Sequence, residues 1–479
     1  MKSDKKKDAL LSMIRLGKPM TLGEQARLVM FLATPAILAQ LTTMMMQYID
    51  ASMVGSMGAE ASASIGLMET TMWLLGSICS ATAAGFYVQV SHQLGSNDPA
   101  RARSTLRQGI MSVLVVSALL GLVSLAVSPF LPTWLGGNSH ITPTASAYFA
   151  IVATALPIFQ FSIFGAGMLR SSGNMVVPSV MSVVMMSLDV VFNFFLIFPT
   201  RPVESFGTQI MMPGMGLGVV GAAIGTVSAE LVAASITMYI LCFRSKELSL
   251  RIDTGRFLPT WGVVKRALHI SLPMGLQQTI MCSAYVMTTI IIAPLGTFAI
   301  AANSFGIIIE SLCYMPGYGI ADAATTLVGQ SMGAGRHELM KRFAWLSVGL
   351  GVTVMAVMGV VMYVGAPVAM AMMTPAEEVR RLGVEVLRIE AFAEPMFAAA
   401  IVSYGVFVGA AKTLVPSIMN LVSIWGVRIS LAAMLAPSMG LRGVWIAMCI
   451  ELCFRGIIFL VKLKFWNIQT SCKHYGKDQ

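Results

Sequence analysis

The chain has 479 residues and a net charge of +10, yet only 11% of its residues are charged and 56% are apolar. A soluble domain carries about 25% charged residues and lacks uncharged apolar stretches of about 18 residues or more, so this composition excludes a soluble protein. The seven cysteines show no CxxC spacing, which argues against a disulfide framework and against a zinc site.

The long uncharged runs predict membrane-spanning helices. The longest covers residues 108–169, which is enough for two spans because about 20 apolar residues cross the hydrocarbon core. Cutting the runs at turn residues and charges predicts twelve spans, at about 28–51, 61–92, 108–130, 145–169, 175–198, 216–242, 267–293, 299–330, 343–366, 385–410, 414–436 and 441–461. The first span is too long for a cleaved signal peptide, so we expect it to remain in the protein.

The placement of Lys and Arg predicts the orientation. If the N-terminus is cytoplasmic, the cytoplasmic segments hold 25 of these residues, and the opposite loops hold only Arg201, Arg380, Arg381 and Arg442. Because positively charged loops stay on the cytoplasmic side, both termini are predicted to be cytoplasmic in a multi-pass protein of the inner or plasma membrane. The basic excess therefore indicates topology and no nucleic-acid partner.

The second half of the chain repeats the first. A shift of 238 residues pairs Pro35 with Pro273, Gln40 with Gln278, and Gly58 with Gly296. The same shift places VPSVM at 177–181 on VPSIM at 415–419. After the fifth span the shift changes, because the first half has a longer loop from Thr200 to Met215.

Each half therefore has six spans, and an even number gives both halves the same orientation. We predict twelve transmembrane helices in two pseudo-symmetric six-helix lobes. The predicted segments are a cytoplasmic N-terminal segment at 1–27, an N-lobe at 28–242, a cytoplasmic linker at 243–266, a C-lobe at 267–461 and a cytoplasmic tail at 462–479. Two lobes that rock against each other permit alternating access, which is typical of a transporter.

Three polar residues in the predicted spans of the first half are candidates for a cation site. Asp50 lies at the far end of the first span, and Asp189 and Asn193 lie four residues apart in the fifth, on one helix face. With the hydroxyl of Thr226 they would supply hard oxygen atoms that suit a metal cation such as Na⁺. A proton on one carboxyl is the alternative ligand. A purely structural alternative puts Asp50 in outer-side water and lets Asp189 cap or pair locally.

The predicted spans of the second half carry further charges. Glu310 and Asp322 in the eighth span, and Glu390 and Glu394 in the tenth, are expected to line a cleft and attract cationic substrates. The candidates for direct contact with substrate are Gln47, Gln278, Glu310 and Glu394. Arg428, Glu451 and Arg455 are expected to satisfy one another, since Glu451 and Arg455 have the i, i+4 order of a helix salt bridge.

Several motifs together resemble the multidrug and toxic compound extrusion (MATE) family. They are YIDASMVGSMG at 48–58, VSHQLGS at 90–96, GLGVVGAAIGT at 216–226 and LVGQSMGAG at 327–335. The resemblance covers roughly residues 25–465. It implies a twelve-helix, two-lobed exporter that exchanges H⁺ or Na⁺ for amphipathic and often cationic compounds.

The resemblance also bears on the site residues. In many members the cation site pairs an Asp of the first span with Asn-x-x-x-Asp in the fifth, whereas this chain reads Asp189-x-x-x-Asn193. Other members carry acids in the seventh and tenth spans, at positions that align here near the apolar Met281 and Phe397, so we place the cation site in the first half. Pro35 matches a proline at which the first helix is thought to bend in some relatives, and its alternative role is a static kink.

The sequence thus predicts a secondary active multidrug exporter, a cation-coupled antiporter of a kind that confers antibiotic resistance, acting as a monomer in the bilayer. It is expected to need no cofactor beyond its coupling ion, H⁺ or Na⁺, and to expel small amphipathic organic cations. The alternative is a flippase for lipids or lipid-linked oligosaccharides of the same superfamily, in which a cleft lined by Lys and Arg is expected. An enzyme is disfavoured because HExxH, GxSxG and phosphate-loop motifs are missing from the sequence, and a channel is disfavoured because no pore-loop signature occurs.

Overall fold

The computed structural model describes residues 2–205 and 208–466, and these residues are mainly helical. The α-helices are α1 (Lys2–Arg15), α2 (Leu22–Gly55), α3 (Ala59–Gly95), α4 (Pro99–Val127), α5 (Leu131–Trp134), α6 (Thr142–Thr154), α7 (Leu156–Ser171), α8 (Val176–Ile197), α9 (Gly218–Tyr239), α10 (Trp261–Ile292), α11 (Thr297–Gly333), α12 (His337–Met373), α13 (Glu377–Glu390), α14 (Glu394–Gly409), α15 (Leu414–Val422), α16 (Ser430–Met439) and α17 (Leu441–Lys464). Two π-helical turns, Ile240–Arg244 and Ser423–Ile429, and a 3₁₀ turn, Ala293–Leu295, adjoin them.

Ten helical stretches among the described residues are long and apolar enough to cross a membrane, and two bent pairs bring the total to twelve. The predicted all-α membrane fold of twelve helices is confirmed. The spans predicted at 145–169 and 385–410 are each formed by two helices and not by one. The angle between α6 and α7 is 48°, and the angle between α13 and α14 is 58°.

Proline explains both breaks. Pro157 and Pro395 follow them directly, and each lacks the amide hydrogen that would bond to the carbonyl four residues earlier. The freed carbonyl of Ala391 lies 2.8 Å from the point where a Cβ on Gly359 would stand. In the first half, a Cβ on Gly121 would likewise stand 2.8 Å from the carbonyl of Ala153. The repeat therefore preserves both the break and the glycine beside it.

The loop expected between the fifth and sixth spans contains a β-hairpin. Strands β1 (Pro199–Ser205) and β2 (Thr208–Met215) pair antiparallel, with Pro202 opposite Met211 and Val203 opposite Ile210. The pairing is irregular between Pro199 and Arg201. Short polar and proline-containing strands such as these give a weak sequence signal, since a Pro within a run argues against a strand.

The segment before the first span contains the helix α1, which the sequence analysis did not predict. Leu10, Leu11 and Ile14 on one side of it are buried. The Arg15 Nε donates to Gln330 Oε1 of α11 at 3.3 Å, and Arg336 Nη1 donates to the Met13 carbonyl at 3.0 Å. The N-terminal segment is therefore a packed amphipathic helix.

The chain forms two compact units. Of the described residues, unit 1 contains 2–38, 91–97 and 276–466, and unit 2 contains 39–90, 98–205 and 208–275. The boundary falls within α2 and within α10, after Pro35 and after Pro273. The first long helix of each half therefore contributes to both units. The predicted division into lobes at 28–242 and 267–461 stays a prediction.

Unit 1 contains a reciprocal contact between the two repeated motifs. Gly95 lies against the backbone of Gln330, and Gly333 lies against the backbone of His92. A side chain at either glycine would overlap that backbone, so both positions need the missing Cβ. His92 Nε2 is also 2.7 Å from the carbonyl of Gly409.

In unit 2 the connector between the halves is attached to the start of α4. Asp253 accepts a hydrogen bond from Arg103 Nε at 2.7 Å and another from Arg107. These hydrogen bonds, that of Arg107 foremost, hold the pKa of Asp253 below its ordinary value. Gln108 Oε1 accepts two further bonds from Thr260, at 2.8 and 2.9 Å. The connector is therefore an ordered part of unit 2.

Candidate cation site in unit 2

Three polar side chains from two helices meet inside unit 2. Asp50 lies five residues before the end of α2, and Asp189 and Asn193 lie in the second half of α8. A spacing of four residues places Asp189 and Asn193 one above the other on a helix face. The structure thus brings together the three residues that the sequence analysis named first.

The amide of Asn193 joins the two carboxyl groups. Its Nδ2 donates to Asp50 Oδ1 and to Asp189 Oδ2, both at 3.1 Å. One amide nitrogen thus lies within hydrogen-bonding distance of an oxygen of each carboxyl group, which brings the two carboxyl groups close together. Two ionised carboxylates at that separation repel strongly, so a proton or a cation between them is needed to stabilise the arrangement.

Two acceptor atoms of this group have no hydrogen-bond partner among the described residues. Asp189 and Asn193 are 0% and 1% exposed, and the orphaned atoms are Asp189 Oδ1 and Asn193 Oδ1. A buried acceptor without a donor destabilises the fold unless a ligand satisfies it. With the half-buried Asp50 they form a set of oxygen atoms of the kind that hard cations prefer.

Glycine residues of α9 permit this geometry. A Cβ on Gly225 would overlap Asn193 Oδ1, and a Cβ on Gly221 would stand 2.5 Å from the carbonyl of Leu196. Gly221 and Gly225 form a GxxxG pair, which lets two helix backbones approach closely. The stretch GLGVVGAAIGT at 216–226 resembles a family motif, and the spacing of Gly221 and Gly225 within it also indicates a helix contact.

Apolar layers lie on both sides of the polar group along the helices. On one side, Met185, Ala229 and Ala233 form a buried cluster with Met46 and Phe192 packed against it. On the other side, the cluster consists of Val54, Ile197 and Ala222, with Met53, Met57, Ala61, Ile65 and Phe198 packed against it. The carboxyl group of Asp189 is therefore enclosed along the helices by side chains that can be displaced but cannot solvate a charge.

The described residues provide no basic partner for this group. None of the ion pairs in residues 2–205 and 208–466 includes Asp50 or Asp189. Tyr148 of α6 and Glu230 of α9 interact electrostatically with Asp189, and Glu230 also bonds to Ser162. Sequence reasoning missed both. Glu230 lies four residues after Thr226, and that spacing was a usable signal.

The other predicted site residues lie in different surroundings. Thr226 follows Gly225 on α9 and is half-buried, and no hydrogen bond of the described residues joins it to the carboxyl groups. Gln47 is exposed on α2, and Gln278 is half-buried on α10. Glu310 and Glu394 are 6% and 1% exposed in unit 1, so this conformation leaves no room for a substrate against their carboxyl groups. Pro35 lies inside the continuous helix α2.

Within the part of the chain that the structure describes, no three His, Cys, Asp or Glu residues converge in a manner that could hold a metal ion. The unit 2 group is not of this kind, because its third member is the amide of Asn193. A monovalent ion or a proton suits its two carboxyl groups and one amide better than a divalent metal does.

A second buried polar group in unit 1 is internally satisfied. Arg455 Nε and Nη2 both bond to the carboxyl of Glu451 at 2.7 Å, and Arg428 Nε bonds to it at 3.0 Å. Ser423 donates to the same carboxyl at 2.5 Å from the π-helical turn. The expected structural role of these charges agrees with this geometry, because a carboxylate with three donors is fully paired.

Comparison with known proteins identifies the family. A family model described as MatE matches residues 35–195 and 273–434. The two matches begin 238 residues apart, as the internal repeat does. The "Probable multidrug resistance protein NorM" of Thermotoga maritima is 24% identical over 435 residues, which cover 90% of each chain. The protein of the same description from Chromobacterium violaceum is 26% identical over 463 residues, which cover 95% of this chain and 96% of that one.

A crystal structure of a MATE protein in the straight conformation superposes with a TM-score of 0.86 at 18% identity, covering 97% of this chain and 99% of that one. This likeness bears on the fold alone. The family model spans well over half of the chain and includes most of α2, most of α8 and most of the second half. The chain therefore belongs to the MatE family and is a multi-pass membrane transporter with the twelve-helix fold of that family.

Proposed function

We propose that the protein is a multidrug exporter driven by an inward gradient of H⁺ or Na⁺. The relatives named as multidrug resistance proteins support the choice of cargo. The unit 2 group of Asp50, Asp189 and Asn193 supports the coupling to an ion, because such a group destabilises a membrane protein unless a ligand binds to it. It joins the buried Asp189 to the half-buried Asp50, with no basic partner among the described residues and with orphaned acceptor atoms.

In this proposal the coupling ion neutralises the two carboxyl groups. With the ion bound, the apolar layers on either side can close over a group that carries little charge. When the ion leaves, the mutual repulsion of Asp50 and Asp189 favours a conformation in which water reaches them. The antiport follows because substrate and ion stabilise opposite conformations.

Thr226 is proposed as an additional oxygen ligand that approaches when Na⁺ is bound, since it lies next to Gly225, which touches Asn193. Asp50, Asp189 and Asn193 would be the metal ligands in that case. Pro35 is proposed as the site where α2 bends. It lies just before the residue at which α2 passes from unit 1 to unit 2, and a proline weakens the helix there.

Small amphipathic organic cations are the proposed cargo, and Gln47 and Gln278 are the proposed polar contacts with it. Both glutamines lie on the first long helix of a half, where Gln47 is exposed and Gln278 is half-buried. The two termini are proposed to be cytoplasmic, in the cell membrane, because the basic residues cluster in the segments on that side. The protein is proposed to act as a monomer.

The decisive experiment is reconstitution of the purified protein into vesicles with separately imposed H⁺ and Na⁺ gradients and a cationic dye. We expect one gradient to drive dye movement in the parent and neither to drive it in D50N, which keeps a similar shape and removes the charge. If neither gradient moves the dye in the parent, the exporter function is excluded and a lipid flippase becomes the better proposal.

A matched exchange tests the residues themselves. D189N should abolish transport, whereas the double variant D189N/N193D, which has the swapped order of many relatives, should recover much of it because the same atoms lie one turn apart. G76A serves as the control, since a Cβ on Gly76 meets nothing within 4 Å. Normal transport by D189N, with normal expression, would contradict the proposed site.

A further inference from the structure

A cavity of about 480 Å³ lies in unit 1, between the link from α1 to α2 and the turn from α11 to α12. Met20 and Gln25 line it from one side, and Arg336, His337 and Arg342 line it from the other. Sites for small molecules commonly have volumes of about 300–1,000 Å³. The cavity is therefore large enough for a ligand, and none of these residues belongs to the unit 2 group.

Positive charge predominates around this cavity. Among the described residues that line it, Arg336 and Arg342 are cationic and Glu338 alone is acidic. Glu338 Oε1 lies 3.7 Å from Lys341 Nζ, so this acid has a counter-charge of its own. Arg336 Nη1 donates to the carbonyl of Met13 at 3.0 Å, which fixes the guanidinium at the cavity. A guanidinium presents several N–H donors in a fork that matches the oxygen atoms of a phosphate.

The start of α12 adds further donors. The first N–H groups of an α-helix have no acceptor within the helix, and they carry a partial positive charge. Arg336 is the N-cap residue of α12, and its side chain makes no capping hydrogen bond. Because phosphates bind at such helix ends, the arginines and the helix start favour the same kind of ligand.

The first half has the same helix start, but with an anion of its own. Under the 238-residue shift, Asp98 corresponds to Arg336. Asp98 is the N-cap residue of α4, and its carboxyl group accepts a hydrogen bond from the N–H of Arg101 at 3.0 Å. Pro99, which has no N–H, corresponds to His337, which has one. An arginine thus replaces the capping carboxylate in the second half, and a bound anion would restore it.

Gln25 indicates that the ligand also carries a hydrogen-bond donor. Its side chain is fully buried, and its Nε2 donates to the carbonyl of Met20 at 2.9 Å. Its Oε1 accepts no hydrogen bond from the described residues. A buried acceptor without a donor destabilises the fold. A hydroxyl group in the cavity would supply this donor after a small rotation of the amide.

The cavity lies at the depth of the lipid headgroups. Arg342 directly precedes the uncharged run at 343–376, so the first turns of α12 mark the edge of the hydrocarbon core. Trp345 is exposed one turn further on, and tryptophan is enriched at the boundary between membrane and water. Leu22, two residues after Met20, is exposed as well. A lipid can therefore reach the cavity with its headgroup while its acyl chains stay in the bilayer.

We propose that this cavity binds the phosphoglycerol headgroup of an anionic phospholipid. Arg336, Arg342 and the N–H groups at the start of α12 hold the phosphate, and a glycerol hydroxyl donates to Gln25 Oε1. Because Arg336 also binds the carbonyl of Met13, the lipid joins α1 to the first turn of α12. The site is separate from the unit 2 group, so it does not rest on the proposed exporter function.

Native mass spectrometry of the purified full-length protein in detergent measures this binding for one lipid at a time. We expect the parent to prefer phosphatidylglycerol to phosphatidylcholine, whose headgroup has no hydrogen-bond donor. R342Q should weaken the binding of phosphatidylglycerol about tenfold, the effect of losing one hydrogen bond to a charged group. R381Q, which changes an exposed arginine outside the cavity, should bind as the parent does. A parent without this preference, or equal binding by the parent and R342Q, would overturn the proposal.

The repeat supplies a second variant. R336D/H337P carries the residues of the first half and gives α12 a cap of its own. It should keep the thermal unfolding temperature of the parent and lose the preference for phosphatidylglycerol, and retention of that preference would overturn the proposal. Inorganic phosphate separates the two sources of the anion. We expect an excess of it to leave phosphatidylglycerol bound to the parent, whereas full displacement would assign the cavity to free phosphate and overturn the lipid site.

Discussion

The two halves of this duplicated chain keep their polar residues at different places. In the first half the acids are near the far end of α2 and in α8, where Asp50 corresponds to the uncharged Thr288 of the second half. In the second half they flank the helix break, where Glu394 corresponds to Leu156 of the first half. The repeat thus accounts for the helices that the two halves share. It does not account for these acidic residues, because each is present in one half and replaced by an uncharged residue in the other.

A second comparison lies within unit 1. Glu451 receives hydrogen bonds from Ser423, Arg428 and Arg455, whereas Glu390 and Glu394 receive none in the described structure. A buried carboxylate with three donors is held in one position, so hydrogen-bond partners separate the paired acid Glu451 from the unpaired Glu390 and Glu394.

The largest expected effect is on stability, from breaking the paired group. E451Q leaves the buried Arg455 and the half-buried Arg428 without a counter-charge, and removal of one partner of a buried pair costs about 3–5 kcal/mol. We expect a large fall in the thermal unfolding temperature of the purified protein. E394Q is the control, because an unpaired carboxyl should lose little stability when it becomes an amide. Equal destabilisation by both variants would remove the distinction between the two classes of acid.

The next effect concerns the helix contact that supports the unit 2 group. G225A places a methyl group on Asn193 Oδ1, and overpacking of a tight contact costs about 1–3 kcal/mol. Ion-driven dye efflux should fall sharply because the displaced amide no longer bridges the two carboxyl groups. G66A, at a position where a Cβ meets nothing within 4 Å, should transport normally. Unchanged efflux by G225A would show that the position of Asn193 is not critical.

A smaller effect is expected at Thr226. If its hydroxyl completes a Na⁺ site, T226V should weaken the apparent ion affinity about fivefold, since one polar contact is worth roughly 1 kcal/mol. T226S should behave as the parent does, because it keeps the hydroxyl. The measurement is dye efflux against Na⁺ concentration. Identical curves for the parent and T226V would leave Asp50, Asp189 and Asn193 as the whole site.

The smallest effect concerns Asp253, a paired acid outside the membrane. Its pKa lies below the ordinary value because Arg107 and Arg103 donate hydrogen bonds to it. Its contribution to the attachment of the connector is therefore present above the ordinary pKa and lost as the pH falls through the lowered one. Limited proteolysis within residues 243–260 should become faster in acid for the parent and be fast at neutral pH for D253N. A rate for D253N equal to the parent's at neutral pH would contradict this.

The fold was largely predictable from the sequence, and the site only in part. Twelve transmembrane helices could be predicted from two features: the uncharged runs that are long enough to cross a membrane, and the prolines that match between the two repeats. The breaks before Pro157 and Pro395 were not predicted, because a proline inside a span often kinks a helix without ending it. Asp189 and Asn193 could be paired from their spacing, since a helix fixes which residues share a face. The spacing of Glu230 from Thr226 and the GxxxG pair that contains Gly225 were usable signals within α9, but which residues of α8 they meet depends on the rotation of a neighbouring helix.

The sequence by itself determined the class of protein and the number of spans, because a charged side chain or an unpaired backbone group in lipid is costly at every position of a span. The duplication could also be found from the sequence, by the shift of 238 residues. The i, i+4 spacing already predicted the pair of Glu451 and Arg455. Only the tertiary structure decided that Ser423 and Arg428 bond to the same carboxyl group, and that Glu390 accepts no hydrogen bond from the described residues. Partners come from helices distant in the chain, and their approach depends on side-chain packing and close glycine contacts that no local pattern encodes.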